Sequence, residues 1–383
     1  MPTRRVLLTG AASIVIIGGI AGGTALHSDL RIARAPWRLA GTEYDDPRLN
    51  ALAYGVLAPS PHNRQPWLVD LKEENAAVLY CDLDRRLPET DPYDRQITIG
   101  LGAFLELLRM AGAEQGYRIA VTPFPDGEPS PRLNEKPVAR IQFIRDETVA
   151  PDPLFAFVMD RRTNRNPFDQ TQTVSEGAMQ RLDAVLRADD GYFEWETAQD
   201  NVQSLKGLCR KSWEVETTTG RTHGESVRLT RIGEREINAN PDGISLSGPL
   251  MEGMRLAGVL SRDKMADKNS TMFAESLAFY SGLIDSAMAF GWLSTDDNSR
   301  KSQLNAGAGW LRLHLAATAT GLALQPLSQI LQEFPEMTDL YNEFHEFVGL
   351  KAPARVQGLF RFGYAKAPPP APRWPLETRI IEA

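Results

Sequence analysis

Three guanidinium groups stand close together in the segment RRTNRNPF, residues 161–168. They belong to Arg161, Arg162 and Arg165, and Thr163 adds a hydroxyl between them. Because the planar guanidinium fork binds phosphate oxygens through paired hydrogen bonds, this spacing suits a phosphate monoester. The same pattern also fits a solvated basic segment that faces acidic neighbours, so composition alone leaves both interpretations open.

A second group of polar residues stands in APSPHNRQPW, residues 58–67, where Pro59, Pro61 and Pro66 alternate with donors and acceptors such as Ser60 and Asn63. Proline restricts its own backbone and that of the preceding residue, so the turn is preorganised. A rigid polar turn suits a flat heteroaromatic ring. An ordinary proline-rich connection remains the alternative.

Other common chemistries find little support. The chain has no GxSxG elbow, no GxxxxGK[ST] loop and no HExxH helix. Its five histidines are scattered without ligand spacing, which argues against a metal site. Gly100 and Gly102 lack the third glycine of a dinucleotide fingerprint. No residue stands out as a general acid, so no catalytic residue is assigned.

Composition narrows the class of partner. A net charge of -7 argues against nucleic acid, because phosphate neutralisation needs a basic face. With 42% hydrophobic residues the chain can bury a large core. Cys81 and Cys209 stand far apart, and we expect two buried thiols; a disulfide has no support from their spacing.

The elements that must position the two polar segments follow an α+β pattern. The first, residues 47–57, is a helix that the proline turn ends, and a strand begins at Leu68. A second helix runs from about Thr98 to near Gly116. Three further segments are predicted as helices: DPLFAFVMDRR (152–162), VSEGAMQRLDAVLRA (174–188) and SLAFYSGLIDSAMAFGWL (276–293).

The helix after Thr98 has a counterpart in NAGAGWLRLHLAATATGLALQPLS, residues 305–328. Gly102 matches Gly309 and Gly116 matches Gly321, which indicates divergent copies of one unit at residues 45–150 and 151–365. Chance similarity of two glycine-bounded helices is the alternative.

Two segments fall outside this repeat. Residues 210–268 are polar and glycine-dotted, and we interpret them as a covering insertion, either a lid or a plain surface excursion. Residues 366–383 form a proline-rich C-terminal arm, expected to lie along a surface or to reach another subunit.

The first thirty residues carry Arg4 and Arg5 before an uncharged run from Val6 to Leu26. This pattern is typical of a twin-arginine export signal, which carries folded cargo, or of an uncleaved membrane anchor. A buried helix is the third interpretation. We expect an exported protein, periplasmic or membrane-anchored, that contacts the membrane only through this segment if it is uncleaved.

Taken together, the two polar segments resemble a known family. APSPHNRQPW looks like the proline turn of the nitroreductase superfamily, and RRTNRNPF looks like its phosphate motif. The chain is similar to the Acg-like branch, whose members join two nitroreductase-like units, from about Asp45 to Arg373 outside the insertion. The similar segments are LDRRLPETDPYDRQITIGLGAFLELLRMAG (83–112), WLRLHLAATATGLALQPLSQ (310–329) and ARVQGLFRFGYA (354–365).

This resemblance implies an α+β nitroreductase-like fold in which the two halves pack as a nitroreductase dimer packs and hold one FMN between them. The residues that would contact FMN fall into three groups. Arg161, Thr163 and Arg165 would hold the phosphate and the ribityl or pyrimidine edge, and a C-terminal arginine, Arg373, would reach the phosphate. Contacts with the ring would come from Pro59, Ser60 and Asn63, and with its N5 edge from Pro326, Leu327 and Ser328.

The chain departs from better known nitroreductases in the run PLSQ, where Ser328 and Gln329 replace a Glu-Gly pair. Two functions therefore stay open: an FMN-dependent oxidoreductase acting on a small redox substrate with NAD(P)H as donor, and a module that stores, senses or sequesters flavin. A protein with a dead site is disfavoured because both motifs are intact. Since the chain would contain its own dimer interface, we expect a monomer.

Overall fold

The computed structural model describes residues 29–381. The expected export segment, residues 1–30, lies outside the described residues except for Asp29 and Leu30. Within the described part the chain forms antiparallel sheets with helices packed against them, so the predicted α+β class is confirmed. No helix of this part is both long and apolar enough to cross a membrane.

The α-helices of residues 29–381 differ widely in length, and α3, α5 and α11 are the longest. Their bounds are α1 Ala35–Leu39, α2 Pro47–Gly55, α3 Arg95–Glu114, α4 Glu176–Asp183, α5 Gln199–Thr218, α6 Gly220–Arg228, α7 Gly233–Ala239, α8 Pro249–Leu256, α9 Arg262–Ala266, α10 Thr271–Asp285, α11 Arg300–Ala319 and α12 Thr338–Phe347.

The first sheet contains β1 (Trp67–Asp70), β2 (Ala76–Cys81), β3 (Tyr117–Pro123) and β4 (Ala139–Arg145), in the order β1-β2-β4-β3. The second contains β5 (Tyr192–Glu196), β8 (Ala289–Thr295), β9 (Ala323–Pro326) and β10 (Arg355–Gly363), in the order β5-β8-β10-β9. All neighbours in both sheets are antiparallel. Numbered within its own sheet, each has its strands in the order first, second, fourth, third.

In each sheet a helix of 20 residues joins the second strand to the third: α3 in one and α11 in the other. These helices cross at two glycines. A Cβ on Gly102 would lie 2.0 Å from the carbonyl oxygen of Leu304, and one on Gly307 would lie 2.0 Å from that of Ile99. Only hydrogen side chains allow the backbones to approach so closely, and the crossing joins the two sheets into one core.

The glycine register corrects one prediction. Gly116 and Gly321 both follow their helices with positive φ, 74° and 75°, as their predicted match requires. Helix α3 begins at Arg95 and α11 at Arg300, and the separation of these two residues along the chain equals that of the two glycines. At the same separation, Gly102 corresponds to Gly307. The predicted match to Gly309 was wrong by two residues, because two glycines two positions apart offer alternative alignments.

Two predicted helices also differ from the structure. The segment 276–293 is helical only as far as Asp285, and its last part is β8, whose residues are all buried. A central strand buried on both faces has no alternation of polar residues to distinguish it from a buried helix. Residues Pro153–Asp160 form 3₁₀ turns instead of an α-helix.

Residues 210–268, interpreted from the sequence as a covering insertion, have regular secondary structure. The segment continues α5, contains α6 to α9, and includes the two-stranded parallel pair β6 (Thr230–Ile232) and β7 (Ile244–Leu246). Charged residues on short amphipathic helices gave a polar average that concealed the helical period.

Extended segments cross from one sheet to the other. Thr163 pairs in parallel with Leu324 of β9, and Ile380 pairs in parallel with Val69 of β1. The C-terminal arm therefore returns to the first sheet. Cys81 and Cys209 are both buried and unpaired, as expected.

Candidate functional site

The turn between α2 and β1 has a strained backbone. His62, Asn63 and Gln65 have φ values of 46°, 52° and 52°, in the left-handed region that non-glycine residues seldom adopt. The hydroxyl of Ser60 accepts a hydrogen bond from the backbone N–H of Gln65 at 2.9 Å. Helix α3 packs against the turn, since a Cβ on Gly100 would lie 3.3 Å from Cβ of Ser60. Such strain persists where the surroundings enforce it, often at binding sites.

The C-terminal arm holds this turn from the other side. The amide nitrogen of Asn63 donates to the carbonyl of Pro372 at 3.1 Å, and its Oδ1 accepts from Arg373 at 2.7 Å. Oε1 of Gln65 accepts from the backbone N–H of Trp374 at 2.8 Å. Both polar atoms of Asn63 are thus engaged by the arm, and its contact with a flavin ring stays a prediction.

Three arginines surround Trp37 of α1. The Cζ atoms of Arg161, Arg162 and Arg373 lie 5.9, 5.0 and 5.5 Å from its ring centroid. Arg161 and Arg373 both donate to the carbonyl of Leu57, at 3.1 and 2.9 Å. Arg161 and Arg373, more than 200 positions apart in the chain, therefore converge at the start of the proline turn, and their contact with a phosphate stays a prediction.

This cluster is short of negative charge. Arg161 and Arg373 are 3% and 2% exposed, and neither forms an ion pair within the described residues. By contrast, the buried Arg95 lies 3.1 Å from the carboxylate of Glu333. Burial lowers the pKa of Arg161 to about 9 and that of Arg373 well below its usual range, and Arg162 adds repulsion to both. A bound anion would neutralise this arrangement.

His314 of α11 positions Arg161. Its Nε2 lies 2.9 Å from the carbonyl of Arg162, so Nε2 carries the proton and Nδ1 is left to accept from Arg161 at 3.4 Å. Burial, with the charge of Arg161, lowers the pKa of His314 to about 3, and the ring is neutral. Sequence analysis missed His314 and Trp37, because neither has a motif of its own.

The segment after Arg161 is extended. The backbone N–H of Asn164 donates to the carbonyl of Leu324 at 3.0 Å, alongside the Thr163 pairing. Along this segment Arg161 is buried, Thr163 is half-buried and Arg165 is exposed. The hydroxyl of Thr163 has no hydrogen-bond partner in residues 29–381, which leaves it free for a ligand.

Arg165 is exposed, and its charge acts on residues of both the proline turn and α10. Burial lowers the pKa of His62 to about 4, and Arg165 adds repulsion. Burial raises the pKa of Tyr280 on α10, and Arg165 opposes that effect. Nδ1 of His62 is buried without a partner in the described structure.

The segment that leaves β9 carries one free backbone donor. Of Pro326, Leu327 and Ser328, proline has no N–H, and the N–H of Leu327 donates to the carbonyl of Leu359 at 2.8 Å. The N–H of Ser328 has no hydrogen-bond partner in the described part of the chain. Ser328 is therefore the residue of this run whose backbone can meet a ligand.

The segment 210–268 packs on the proline turn through the Asp242 carboxylate and through the carbonyl of Pro241, which accepts from Nε2 of Gln65 at 2.7 Å. Oδ2 of Asp242 lies 3.0 Å from Arg64 and 2.8 Å from Arg85, and its Oδ1 lies 2.8 Å from Arg231. Asp242 is 4% exposed. The segment is thus fixed to the turn, while its action as a lid stays a prediction.

The donor set fits FMN. Two buried, unneutralised guanidiniums and the free Thr163 hydroxyl suit a phosphate monoester, and the turn, Arg165 and the Ser328 N–H suit the polar rim of a flat ring. In residues 29–381 no group of His, Cys, Asp or Glu could hold a metal ion.

Comparison with solved structures gives weak likenesses. The FMN-dependent nitroreductase NfnB from Mycobacterium smegmatis, solved with NADPH, is 17% identical with a TM-score of 0.35, covering 57% of this chain and 92% of that one. A structure described as a nitroreductase from Anabaena variabilis is 12% identical with a TM-score of 0.37, covering 90% and 93%. Because both TM-scores are below 0.5, neither structure supports a conclusion about this chain.

Sequence comparison is more informative, although no protein-family model matches the chain. The Mycobacterium tuberculosis protein described as "Putative NAD(P)H nitroreductase acg" is 27% identical over 358 residues, covering 86% of this chain and 93% of that protein. A second protein of that organism, also described as a "Putative NAD(P)H nitroreductase", is 25% identical over 343 residues, covering 86% of this chain and 90% of that protein. Because the similarity spans most of each chain, this protein is homologous to Acg-like proteins described as NAD(P)H nitroreductases.

Proposed function

We propose that this protein is an FMN-binding oxidoreductase of the nitroreductase superfamily, with one flavin between residues 45–150 and 151–365. Bound FMN would supply hydride and electron transfer, while the protein supplies orientation, access and electrostatics. The observation that carries this proposal is the pair of buried arginines without a carboxylate, Arg161 and Arg373. The descriptions of the homologues support the reaction class.

The contacts support a role for each residue. Arg161 and Thr163 bind the phosphate, and Arg373, which also holds the proline turn through Leu57, reaches it from the C-terminal arm. Arg165 binds the ribityl or pyrimidine edge. Ser328 donates its backbone N–H to the N5 edge, because the N–H of Leu327 is already used within the sheet.

The ring contacts of Pro59, Ser60 and Asn63 come from a turn whose backbone is already strained into place. Such preorganisation lowers the entropy lost on binding.

We further propose that the two sheet-bearing halves mimic a nitroreductase dimer within one chain, and that the protein is a monomer. The common strand order and the crossing of α3 with α11 support this arrangement. Elution from a sizing column at about the 42.5 kDa chain mass is expected. Elution at twice that mass would refute the monomer.

Flavin storage, sensing or sequestration is the second candidate. The observation that favours it is the fixation of the segment 210–268 on the proline turn through Asp242, together with Ser328 and Gln329 at the exit of β9. A covered flavin would be reduced by dithionite but not by NADH or NADPH.

Export through residues 1–30 is proposed from the paired arginines before an uncharged run. Fusion of these residues to a folded reporter tests it. Reporter activity outside the cytoplasm that disappears when Arg4 and Arg5 are both changed to Lys supports the proposal, and activity that stays in the cytoplasm contradicts it.

The experiment on flavin compares FMN with riboflavin, which lacks the phosphate. Fluorescence titration of the wild type is expected to give at least 100-fold tighter binding of FMN. Arg165→Ala, at an exposed position, and Arg161→Lys, which keeps the charge but loses the fork, should both weaken FMN binding at least 10-fold. Only Arg161→Lys should reduce the preference for FMN over riboflavin.

Arg181→Ala, on the exposed face of α4, is the matched control and should bind FMN like the wild type. Failure of the wild type to bind FMN would refute the proposed function. Equal affinity for FMN and riboflavin would refute the phosphate site. An absorbance spectrum taken before and after anaerobic NADH or NADPH then separates a reductase, whose flavin is bleached, from the storage function.

A further inference from the structure

A polar cluster lies at the segment that leaves β9. Gln325 and Arg361 are buried in it, and Tyr280 and Gln329 are half-buried. The hydroxyl oxygen of Tyr280 accepts from the amide nitrogen of Gln325 at 3.2 Å and lies 3.5 Å from that of Gln329. Oε1 of Gln325 accepts from Nε of Arg361 at 2.7 Å. Because Arg361 can only donate, it fixes which end of the Gln325 amide faces Tyr280.

This arrangement leaves the hydroxyl proton of Tyr280 unused. A phenol oxygen accepts through its lone pairs and donates one proton, and the described residues offer that proton no acceptor. The ring of Tyr280 packs on that of Trp213, with centroids 4.3 Å apart at an angle of 31°. A hydroxyl held by amide donors and a packed ring is a preorganised hydrogen-bond donor.

The surroundings place this donor at the proposed flavin site. Gln325 and Gln329 flank the run from Pro326 to Ser328, whose last N–H is free. Because the hydroxyl of Tyr280 accepts from Gln325 and lies 3.5 Å from the amide nitrogen of Gln329, it lies beside this run at the exit of β9. This is the run that we propose to pass the N5 edge of the flavin.

A carboxylate supports the cluster from behind. Oε2 of Glu216 accepts from Gln332 at 2.8 Å, and its Oε1 accepts from Ser226 at 3.3 Å. Gln329 also forms a side-chain hydrogen bond with Glu216. Burial raises the pKa of this carboxyl to about 7. Glu216 thus anchors Gln329, which in turn faces Tyr280.

We propose that Tyr280 donates a proton to the oxygen of a conjugated carbonyl acceptor, such as a quinone, bound beside the flavin. The proposal rests on the proposed function. In carbonyl reduction the oxygen of the acceptor gains negative charge. Tyr280 would donate a proton to that oxygen, and the positive charge of Arg165 would stabilise it.

Bound FMN in its reduced form would supply one hydride, which one oxygen of the quinone would accept. The O–H bond of Tyr280 breaks and a new O–H bond forms on the other quinone oxygen. One hydride and one proton together reduce the quinone by two electrons to a hydroquinone. The phenolate of Tyr280 then takes a proton from solvent.

The test compares Tyr280→Phe, which keeps the ring against Trp213, with Tyr192→Phe, which removes an exposed hydroxyl elsewhere. Three quantities are measured on the FMN-loaded full chain: the Kd of FMN, the Kd of benzoate from the flavin absorbance change, and the rate at which 1,4-benzoquinone reoxidises dithionite-reduced protein in H₂O and D₂O. Benzoate is a planar oxyanion that cannot be reduced, so its binding reports the donor without turnover.

Tyr280→Phe should bind FMN within 2-fold of the wild type, bind benzoate at least 10-fold more weakly, and reoxidise at least 10-fold more slowly with a smaller solvent isotope effect. Tyr192→Phe should match the wild type throughout. Loss of FMN from Tyr280→Phe would overturn the proposal, since Tyr280 would then hold the cofactor. FMN-loaded Tyr280→Phe with wild-type benzoate binding and reoxidation would also overturn it while the proposed function stands, whereas a wild type without FMN would refute both.

Discussion

Replacing Gly307 by alanine tests whether the crossing of α3 and α11 determines how the halves fit. The new Cβ would lie 2.0 Å from the carbonyl oxygen of Ile99, 2.8 Å from the backbone nitrogen of Ala103 and 2.9 Å from Cα of Gly102. These atoms belong to the α3 backbone, so no side chain can rotate away. Helix α11 must move from α3 by more than ~1 Å to restore ordinary van der Waals contact.

The cost can be compared with that at a matched glycine. Overpacking a close-packed core costs about 1–3 kcal/mol, and a backbone clash on this scale belongs at the upper end. Replacing a glycine inside a helix by alanine raises the free energy of unfolding by about 1 kcal/mol. A Cβ added to Gly207 of α5 would have no atom within 4 Å, so Gly207→Ala should gain that amount without a clash. We expect the two variants to differ by about 3 kcal/mol in free energy of unfolding.

Urea denaturation followed by circular dichroism measures the difference. Gly307→Ala should unfold at lower urea than the wild type and Gly207→Ala at the same or higher urea. The FMN affinity of Gly307→Ala should also fall, because both halves contribute to the proposed site. A Gly307→Ala protein as stable as Gly207→Ala would refute the close crossing.

Two other predictions concern buried carboxylates. Burial raises the pKa of Glu216 to about 7 from a usual value near 4.5, so the folded state holds its proton longer than the unfolded chain and stability falls as pH rises between those values. Glu216→Gln should remove that dependence and raise the free energy of unfolding at pH 8 by about 3 kcal/mol, measured by urea denaturation. Asp242→Asn should destabilise the protein by about 3–5 kcal/mol and make residues 210–268 more sensitive to limited proteolysis, because it leaves buried arginines uncompensated.

Neighbouring exposed positions supply the controls. Glu214→Gln on α5 and Asp263→Asn on α9 should leave stability within about 0.5 kcal/mol. A Glu216→Gln protein whose stability between pH 5 and pH 8 follows the wild-type curve would contradict the raised pKa. Unchanged proteolysis of Asp242→Asn would show that this carboxylate does not hold the segment.

Local motifs were readable in advance where chemistry depends on neighbouring residues. Arg161, Thr163 and Arg165 are close in the chain, so their residue types and spacing alone indicated a phosphate-suited motif. The prolines of the proline turn predicted a rigid backbone from composition alone. Gly116 and Gly321 marked helix ends because positive φ favours glycine.

Other features had no local signal. A strand buried on both faces, such as β8, resembles an apolar helix in composition, so the boundary after Asp285 was missed. His314 and Tyr280 act through partners on distant elements, and neither has a distinctive neighbour in the sequence. Gly102 could be aligned correctly only once its contact with α11 was known.

Sequence alone determined the α+β class, the two polar segments and the family resemblance, because residue type, period and short-range spacing carry those properties. Tertiary structure decided which arginines lose their counter-ions, which backbone N–H is free beside β9, and where the C-terminal arm binds. Those properties depend on burial and on contacts between residues hundreds of positions apart, and such contacts exist only after the two sheets pack around α3 and α11.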